Sequence, residues 1–195
     1  MSASTVSLFY VKDTGHEHRL FSSEPPALPA KPSKAKAVWE TAKRKLMLLP
    51  QRNLRQEQAF GRALRMEESS VRILHGAADA KHLNLKFRLF LNAARGRRLA
   101  MLIGELILVL PSGLVALLPG PNVAFYALAL LIMTHWQSLR GIRRLLKKEF
   151  VYEASPVLEA WEAAVTEKRE ADYPALIEAI EKEYGLNGLR KVLWK

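Results

Sequence analysis

The sequence predicts a mainly α-helical chain built around a membrane-embedded helical hairpin. Residues 99–139 contain one charged side chain, Glu105, among residues that are otherwise mostly apolar or small. A turn signal divides this block into two runs, and basic residues flank its outer ends. These three features favour two transmembrane helices over helices exposed to water, whose outer faces would be polar.

Each run has the length that a bilayer requires. Leu99–Leu118 is 20 residues long, which at about 1.5 Å per residue covers a hydrocarbon layer of about 30 Å. Val123–Leu139 is 17 residues long, at the short end of the spanning range. The residues between the runs oppose helix continuation and are predicted to form the hairpin turn: Pro119, Gly120, Pro121 and Asn122.

Two other arrangements fit the same block. Pro111, Ser112 and Gly113 interrupt the first run, which allows a re-entrant hairpin that does not cross the bilayer fully. A helical hairpin buried in the core of a water-soluble domain would also lack charged residues.

The flanking charges predict an orientation. By the positive-inside rule, both outer ends face the cytoplasm or matrix, in a bacterial plasma membrane or a mitochondrial inner membrane. The basic residues expected to contact anionic lipid headgroups are Arg95, Arg97 and Arg98 before the block, and Arg143, Arg144, Lys147 and Lys148 after it.

Composition divides the chain into five segments. Residues 1–33 are predicted to form a short β-hairpin and a Pro-rich linker, and residues 34–98 a basic amphipathic helical region. Residues 99–139 are the two-helix transmembrane hairpin, residues 140–150 a basic juxtamembrane segment and residues 151–195 an acidic helical tail. The first 98 residues carry 19 Lys and Arg against 8 Asp and Glu, whereas residues 151–195 carry 6 against 9.

Local signals place elements within these segments. Strands are predicted at 6–11 and 19–21, and helices of the basic region at 33–48, 54–68 and 79–94. In the tail, Ser155 followed by Pro156 begins one helix, a second runs from Asp172 to Gly185, and a short third covers Leu186–Trp194.

Catalysis is not predicted. Cysteine is absent, which excludes disulfides and sulfur-based metal sites, and neither a phosphate-binding glycine loop nor a nucleophile motif occurs. His16, Glu17 and His18 are candidate metal ligands, but they lie in a predicted turn without a further ligand nearby, and His75 and His82 are no better placed. We therefore expect no enzyme activity, no cofactor and no metal.

Glu105 is the candidate functional residue, because a carboxylate in hydrocarbon requires a partner or a proton. If the chain turns at Gly120, Glu105 and His135 lie at the same depth on opposite helices, with Thr134 adjacent. These three residues form a candidate proton or cation site. The simpler alternative is that Glu105 pairs with Arg98, or with Arg140 and its neighbours.

The second run resembles a known family. Pro119–Val123, then Phe125 and Tyr126, then the stretch from Thr134 to Gly141 are similar to the membrane segment of the mitochondrial K+/H+ exchange-related family, over residues 95–145. In that family a Pro-rich turn precedes an aromatic helix ending in a Ser-His-Trp-Arg-Ala-Leu-x-Gly-like stretch. Thr134 and Gln137 depart from this pattern. The resemblance implies a role in monovalent cation and proton homeostasis, with the inner interface marked by Trp136, Arg140 and Gly141.

The predicted function is therefore an integral membrane component or regulator of K+/H+ exchange. The alternative is an inner-membrane scaffold whose basic N-terminal half binds anionic lipid, nucleic acid or ribosomal RNA. Two helices do not enclose an ion path, so transport would require a homo-oligomer or a membrane protein partner. Nucleic acid is the less favoured partner, since few aromatic residues are interleaved with the basic ones.

Overall fold

A computed structural model of the chain describes residues 7–22, 51–64, 70–76, 82–115 and 123–194. Within this part of the chain, four strands form one sheet in the spatial order β2–β1–β3–β4. The first two strands make an antiparallel hairpin, and β3 and β4 run parallel to β1. The strands are β1 (Ser7–Lys12), β2 (His18–Ser22), β3 (Ser70–His75) and β4 (Glu149–Ala154).

Six α-helices within the described residues accompany the sheet, because each parallel connection needs a crossover segment. Helix α1 lies between β1 and β3, and helices α2 and α3 lie between β3 and β4. The remaining three follow β4. The helices are α1 (Gln51–Ala63), α2 (Leu83–Val115), α3 (Val123–Leu145), α4 (Pro156–Thr166), α5 (Tyr173–Tyr184) and α6 (Arg190–Leu193).

The sheet is covered by helices on both faces, so its strands alternate between two apolar cores. Leu8 and Tyr10 face a core that contains Phe60 of α1, Phe87 of α2 and Ile142 of α3. Phe9, Val11 and Phe21 face a second core built by α4, α5 and α6, whose largest fully buried side chain is Trp161. The chain is thus a three-layer α/β/α sandwich.

The N-terminal β-hairpin is confirmed. Its turn is organised by Asp13, which is 1% exposed and accepts hydrogen bonds from the backbone N–H groups of Gly15 (2.9 Å) and Glu17 (3.0 Å). The second carboxylate oxygen accepts a hydrogen bond from Arg19 Nε at 2.8 Å. An aspartate that binds its own turn in this way stabilises the reversal of the chain.

The prediction of a membrane-embedded hairpin is wrong, and with it the inner-membrane assignment. Among the helices in the described part of the chain, none is both long enough and apolar enough to cross a bilayer. The apolar runs are not independent elements: α2 begins at Leu83, well before Leu99. The first half of α2 and the last turns of α3 pack on the sheet through Phe87, Leu91 and Leu145.

The prediction of a mainly α-helical fold is also wrong, because it omits strands β3 and β4 and therefore the four-stranded sheet. Residues 71–74, which the sequence shows only as a short apolar run, form most of β3, the central parallel strand. Strand β4 begins at the end of the predicted basic juxtamembrane segment and continues into the acidic tail. The break predicted between a helix ending at Ala94 and a new helix starting at Leu99 does not exist, since α2 is continuous.

Two helices of the acidic tail are confirmed, and the third is shorter than predicted, since the segment Leu186–Trp194 contains only the four-residue helix Arg190–Leu193. The Ser155 side chain accepts a hydrogen bond from the Leu158 backbone N–H at 3.4 Å, and Pro156 occupies the first turn of α4. Helix α5 ends at Gly185, whose φ of 62° is the left-handed conformation that glycine adopts without steric cost. Of the other predictions, the turn at 119–122, the linker at 24–33 and the helix at 33–48 lie outside the described residues.

Helices α2 and α3 run antiparallel and extend away from the sheet. Beyond Ala94 no described residue of α2 belongs to the core that covers the sheet. We call residues 99–115 of α2 and 123–138 of α3 the arm. Along α2 the buried positions approaching and within the arm are Arg98, Leu102 and Glu105, which share one stripe of the helix.

The base of the arm is held by a close approach of α1 to α3 at Gly141. This glycine is buried, and a Cβ atom built on it would overlap the carbonyl group of Phe60. Phe60 is itself fully buried. The spacing between these two helices therefore depends on the absence of a side chain at residue 141.

We predict that Gly141→Ala lowers the free energy of unfolding by about 2 kcal/mol or more, because the backbone of α1 must move to admit the methyl group. Gly104→Ala is the matched control. Gly104 lies on the exposed side of α2, and a methyl group there would meet nothing within 4 Å, so alanine is expected to be neutral or stabilising by up to ~1 kcal/mol. Urea denaturation of both variants measures the difference; equal stabilities would contradict the close packing.

Candidate functional site

The two residues predicted to lie at the same depth are in contact inside the arm. Nδ1 of His135 lies 2.6 Å from Oε1 of Glu105, joining α3 to α2. The two side chains are 13% and 11% exposed. Thr134, the third residue of the predicted site, is buried in the same turn of α3 at 5% exposure.

Glu105 is only half satisfied by this contact. Its second oxygen, Oε2, is buried and has no hydrogen-bond partner among the described residues. Burial raises the pKa of the Glu105 carboxyl, while the charge of His135 and its hydrogen bond oppose the rise. Glu105 therefore lies in a site with little access to water, with only one of its two carboxylate oxygens hydrogen-bonded within the described residues.

A second buried network lies closer to the sheet and connects three helices. Arg98 of α2 forms an ion pair with Glu57 of α1, and the Ser138 hydroxyl of α3 donates to the other oxygen of the same carboxylate. The Arg98 guanidinium also lies over the Phe60 ring, 5.6 Å from its centroid. This network contains hydrogen bonds to charged groups, and it fixes the position at which the arm leaves the α/β/α sandwich, which we call the body.

The network corrects two expectations. Arg98 is predicted from the sequence to contact lipid headgroups, but it is 8% exposed and paired with Glu57. For the same reason Arg98 does not pair with Glu105, which is the simpler alternative for that carboxylate. The sequence signal that points to the network is an acidic residue, Glu57, within an otherwise basic and polar helix.

The remaining predicted surface cations lie around the base of the arm. Arg95 and Arg97 on α2 are exposed, as are Arg140 and Arg143 on α3. We call these four residues the arginine collar. Arg144 is exposed and donates to the Leu64 carbonyl oxygen at 2.5 Å; Lys147 is exposed and Lys148 is partly buried. Trp136 is 47% exposed, between the collar and the end of the arm.

His16, Glu17 and His18 are not brought together with a further metal ligand within the described residues. Within the described residues, no three His, Cys, Asp or Glu side chains are placed to share an ion. His18 instead stacks on Tyr10, with ring centroids 4.5 Å apart. Burial, followed by the charges of Lys12 and Lys86, lowers the pKa of His18 to about 4, so this ring is neutral at neutral pH.

Comparison with known proteins identifies no relative: neither a family model, nor a curated protein, nor a solved structure matches the chain. The resemblance to the K+/H+ exchange-related family therefore stays a prediction, and the function must be argued from the site itself.

We predict that Arg98→Ala lowers the free energy of unfolding by about 3 kcal/mol, because it leaves the buried Glu57 carboxylate without its cation. The comparison is Arg72→Ala, which removes the 3.3 Å pair of Arg72 with Glu153, where both side chains are about half exposed. That change is expected to cost less than about 1 kcal/mol. Chemical denaturation of both variants measures the contrast, and a similar small loss in each would show that the Arg98 network does not hold the arm.

Proposed function

We propose that this chain is a proton-responsive regulator of monovalent cation and proton homeostasis, rather than a transporter in its own right. The observation that supports the proposal is the 2.6 Å contact between His135 and Glu105 at the α2–α3 interface. The arm is the responsive element, and the α/β/α body holds its base.

The chemistry of the pair supports a proton response. With one shared proton the contact is neutral overall, either as carboxylic acid and imidazole or as carboxylate and imidazolium. Loss of that proton leaves a carboxylate facing a neutral ring, and gain of another leaves an imidazolium facing a neutral acid. Either change places an uncompensated charge between two helices, which is costly where water is excluded.

Neighbouring charges do not replace this contact. On α2 the nearest ionisable side chain is Arg98, which is occupied by Glu57 of α1. On α3 the nearest is Arg140, which is exposed at the base of the arm. The protonation of Glu105 and His135 therefore acts mainly on the spacing of the two helices that carry them.

A regulatory role is favoured over autonomous transport because the site is built from two helices. Two packed helices present an interface but do not enclose a path, so an ion could not cross through them without further walls. Residues 95–145 resemble the K+/H+ exchange-related family, which is consistent with a role in monovalent cation and proton homeostasis. We name K+ and H+ as the ions because of this resemblance.

We predict that Glu105→Gln reduces the pH dependence of stability. Because folding raises the Glu105 pKa, the folded state binds this proton more tightly than the unfolded state does. The carboxyl's contribution to stability is therefore full below its ordinary pKa of 4.5 and is lost as the pH rises through the folded-state pKa. The stability of Glu105→Gln relative to wild type should rise over that interval, measured by urea denaturation at a series of pH values.

Glu178→Gln is the control, since Glu178 is exposed on α5 and far in sequence from the arm. Hydrogen exchange supplies the structural readout: protection of α2 and α3 in the arm should change with pH in wild type more than in Glu105→Gln, after correction for intrinsic rates. Identical pH profiles for wild type and Glu105→Gln would refute the proton response.

Transport is tested separately. Vesicles loaded with K+ and a pH-sensitive dye should show no K+-dependent pH equilibration when the purified chain alone is added. Equilibration that is abolished in Glu105→Gln would replace the regulator with an autonomous exchanger.

A further inference from the structure

The exposed apolar surface of this chain is concentrated on the arm. Of the eleven large apolar side chains that are exposed in the described residues, eight lie between Leu99 and Trp136. They include Ile103, Leu106 and Ile107, which are 50–63% exposed. Single exposed apolar residues are ordinary, but a continuous group of this kind marks a surface that binds a partner.

The arm has this surface because α2 is apolar on more sides than α3 covers. The stripe of Arg98, Leu102 and Glu105 is buried. Met101, Ile103 and Leu108 lie off that stripe and are about half exposed. A helix that is apolar all round is ordinarily buried on all sides. The second helix of the arm therefore leaves part of the first uncovered.

The partner must also be anionic, because the arginine collar lies at the base of the same arm. Arg95 and Arg97 precede the apolar positions of α2, and Arg140 and Arg143 follow those of α3. Since the helices are antiparallel, all four reach the same end of the arm. None of the four forms an ion pair within the described residues.

The order of side chains along the arm is graded. On α3, Met133 is exposed and apolar, Trp136 is exposed and amphipathic, and Arg140 is exposed and charged. Membrane-binding helices place side chains in this order relative to the headgroup layer. Aliphatic side chains lie deepest, tryptophan lies at the level of the headgroups, and cations lie outermost, next to the phosphates.

We propose that the arm is a docking surface for anionic phospholipid. The exposed aliphatic side chains enter the boundary between headgroups and acyl chains, Trp136 lies at the level of the headgroups, and the arginine collar binds lipid phosphates. This is reversible adsorption on one leaflet, with no helix crossing the bilayer. The side chains that would contact lipid are separate from Glu105 and His135, so docking can be tested without the proton response.

Charge opposes one alternative partner, a second copy of the chain packed in parallel. Two arms packed side by side in parallel would bring two arginine collars together, and like charges in contact oppose association. Nucleic acid would satisfy the collar, but it would leave Ile103, Leu106 and Ile107 without apolar contacts. An anionic lipid surface satisfies both the cations and the aliphatic side chains.

Flotation with lipid vesicles tests the proposal. The full chain should float with phosphatidylcholine vesicles that contain about one third phosphatidylserine, and should remain behind with phosphatidylcholine alone. Ile107→Asp should weaken partitioning by about tenfold or more, because the contribution of one buried aliphatic side chain is lost. Leu85→Asp is the matched control: Leu85 is 59% exposed on the same helix but outside the arm, and its variant should float like wild type.

Three results would overturn the proposal. The first is equal flotation of Ile107→Asp and wild type, which would mean that charge alone binds the vesicles. The second is a chain that does not float but sediments as a dimer that Ile107→Asp dissociates, which would assign the arm to a second copy. The third is binding to single-stranded RNA that is tighter than binding to vesicles and insensitive to Ile107→Asp. Glu105→Gln should float like wild type at neutral pH, so failure of the proton response and failure of lipid docking are observed separately.

Discussion

The ion pair between Arg98 and Glu57 determines how the two parts of this chain are joined. It lies where α2 leaves the sheet, and with Ser138 it links α1, α2 and α3 in one buried contact. On the sheet side of this contact the helices pack on a mixed α/β core; on the other side they pack mainly on each other. A buried ion pair is costly to break, so the direction of the arm is fixed there more firmly than by apolar packing, which tolerates sliding. The Glu105–His135 contact, two turns further along α2, is consequently held in register.

Local patterns were sufficient for elements whose causes are local. The β1–β2 turn depends on Asp13 and its own neighbours, and α4 begins where Ser155 and Pro156 indicate. The proximity of Glu105 and His135 also followed from the sequence, because counting residues on either side of a turn gives the register of two antiparallel helices. The neighbouring network of Arg98, Glu57 and Ser138 did not follow, since Glu57 lies on α1, in a distant part of the chain.

The parallel strands could not be found in the same way. Strand β3 pairs with β1 and β4, which are separated from it in sequence by whole helices. No local turn motif in the sequence indicates such a pairing. The short apolar run at 71–74 has only four residues, which are too few to distinguish a strand from part of a helix. Without the sheet, the apolar residues of α2 and α3 lack an evident core to cover, so hydrophobicity favours a bilayer over the core of a water-soluble domain. Once the sheet is present, Phe87, Leu91 and Ile142 are ordinary core residues.

The arm is the part of α2 and α3 whose apolar side chains do not pack on the sheet. Its apolar side chains are exposed in the same segment that contains a half-satisfied carboxyl, and these two features affect each other. Covering the arm with apolar material would lower the local dielectric further, which favours the neutral, proton-sharing state of Glu105 and His135 over any state with a net charge. Conversely, a net charge on the pair would make the arm a poorer partner for an apolar surface. Proton binding and docking of the arm are therefore thermodynamically linked wherever both occur, and the linkage has a definite sign: docking should be strongest at the pH at which the pair holds one proton.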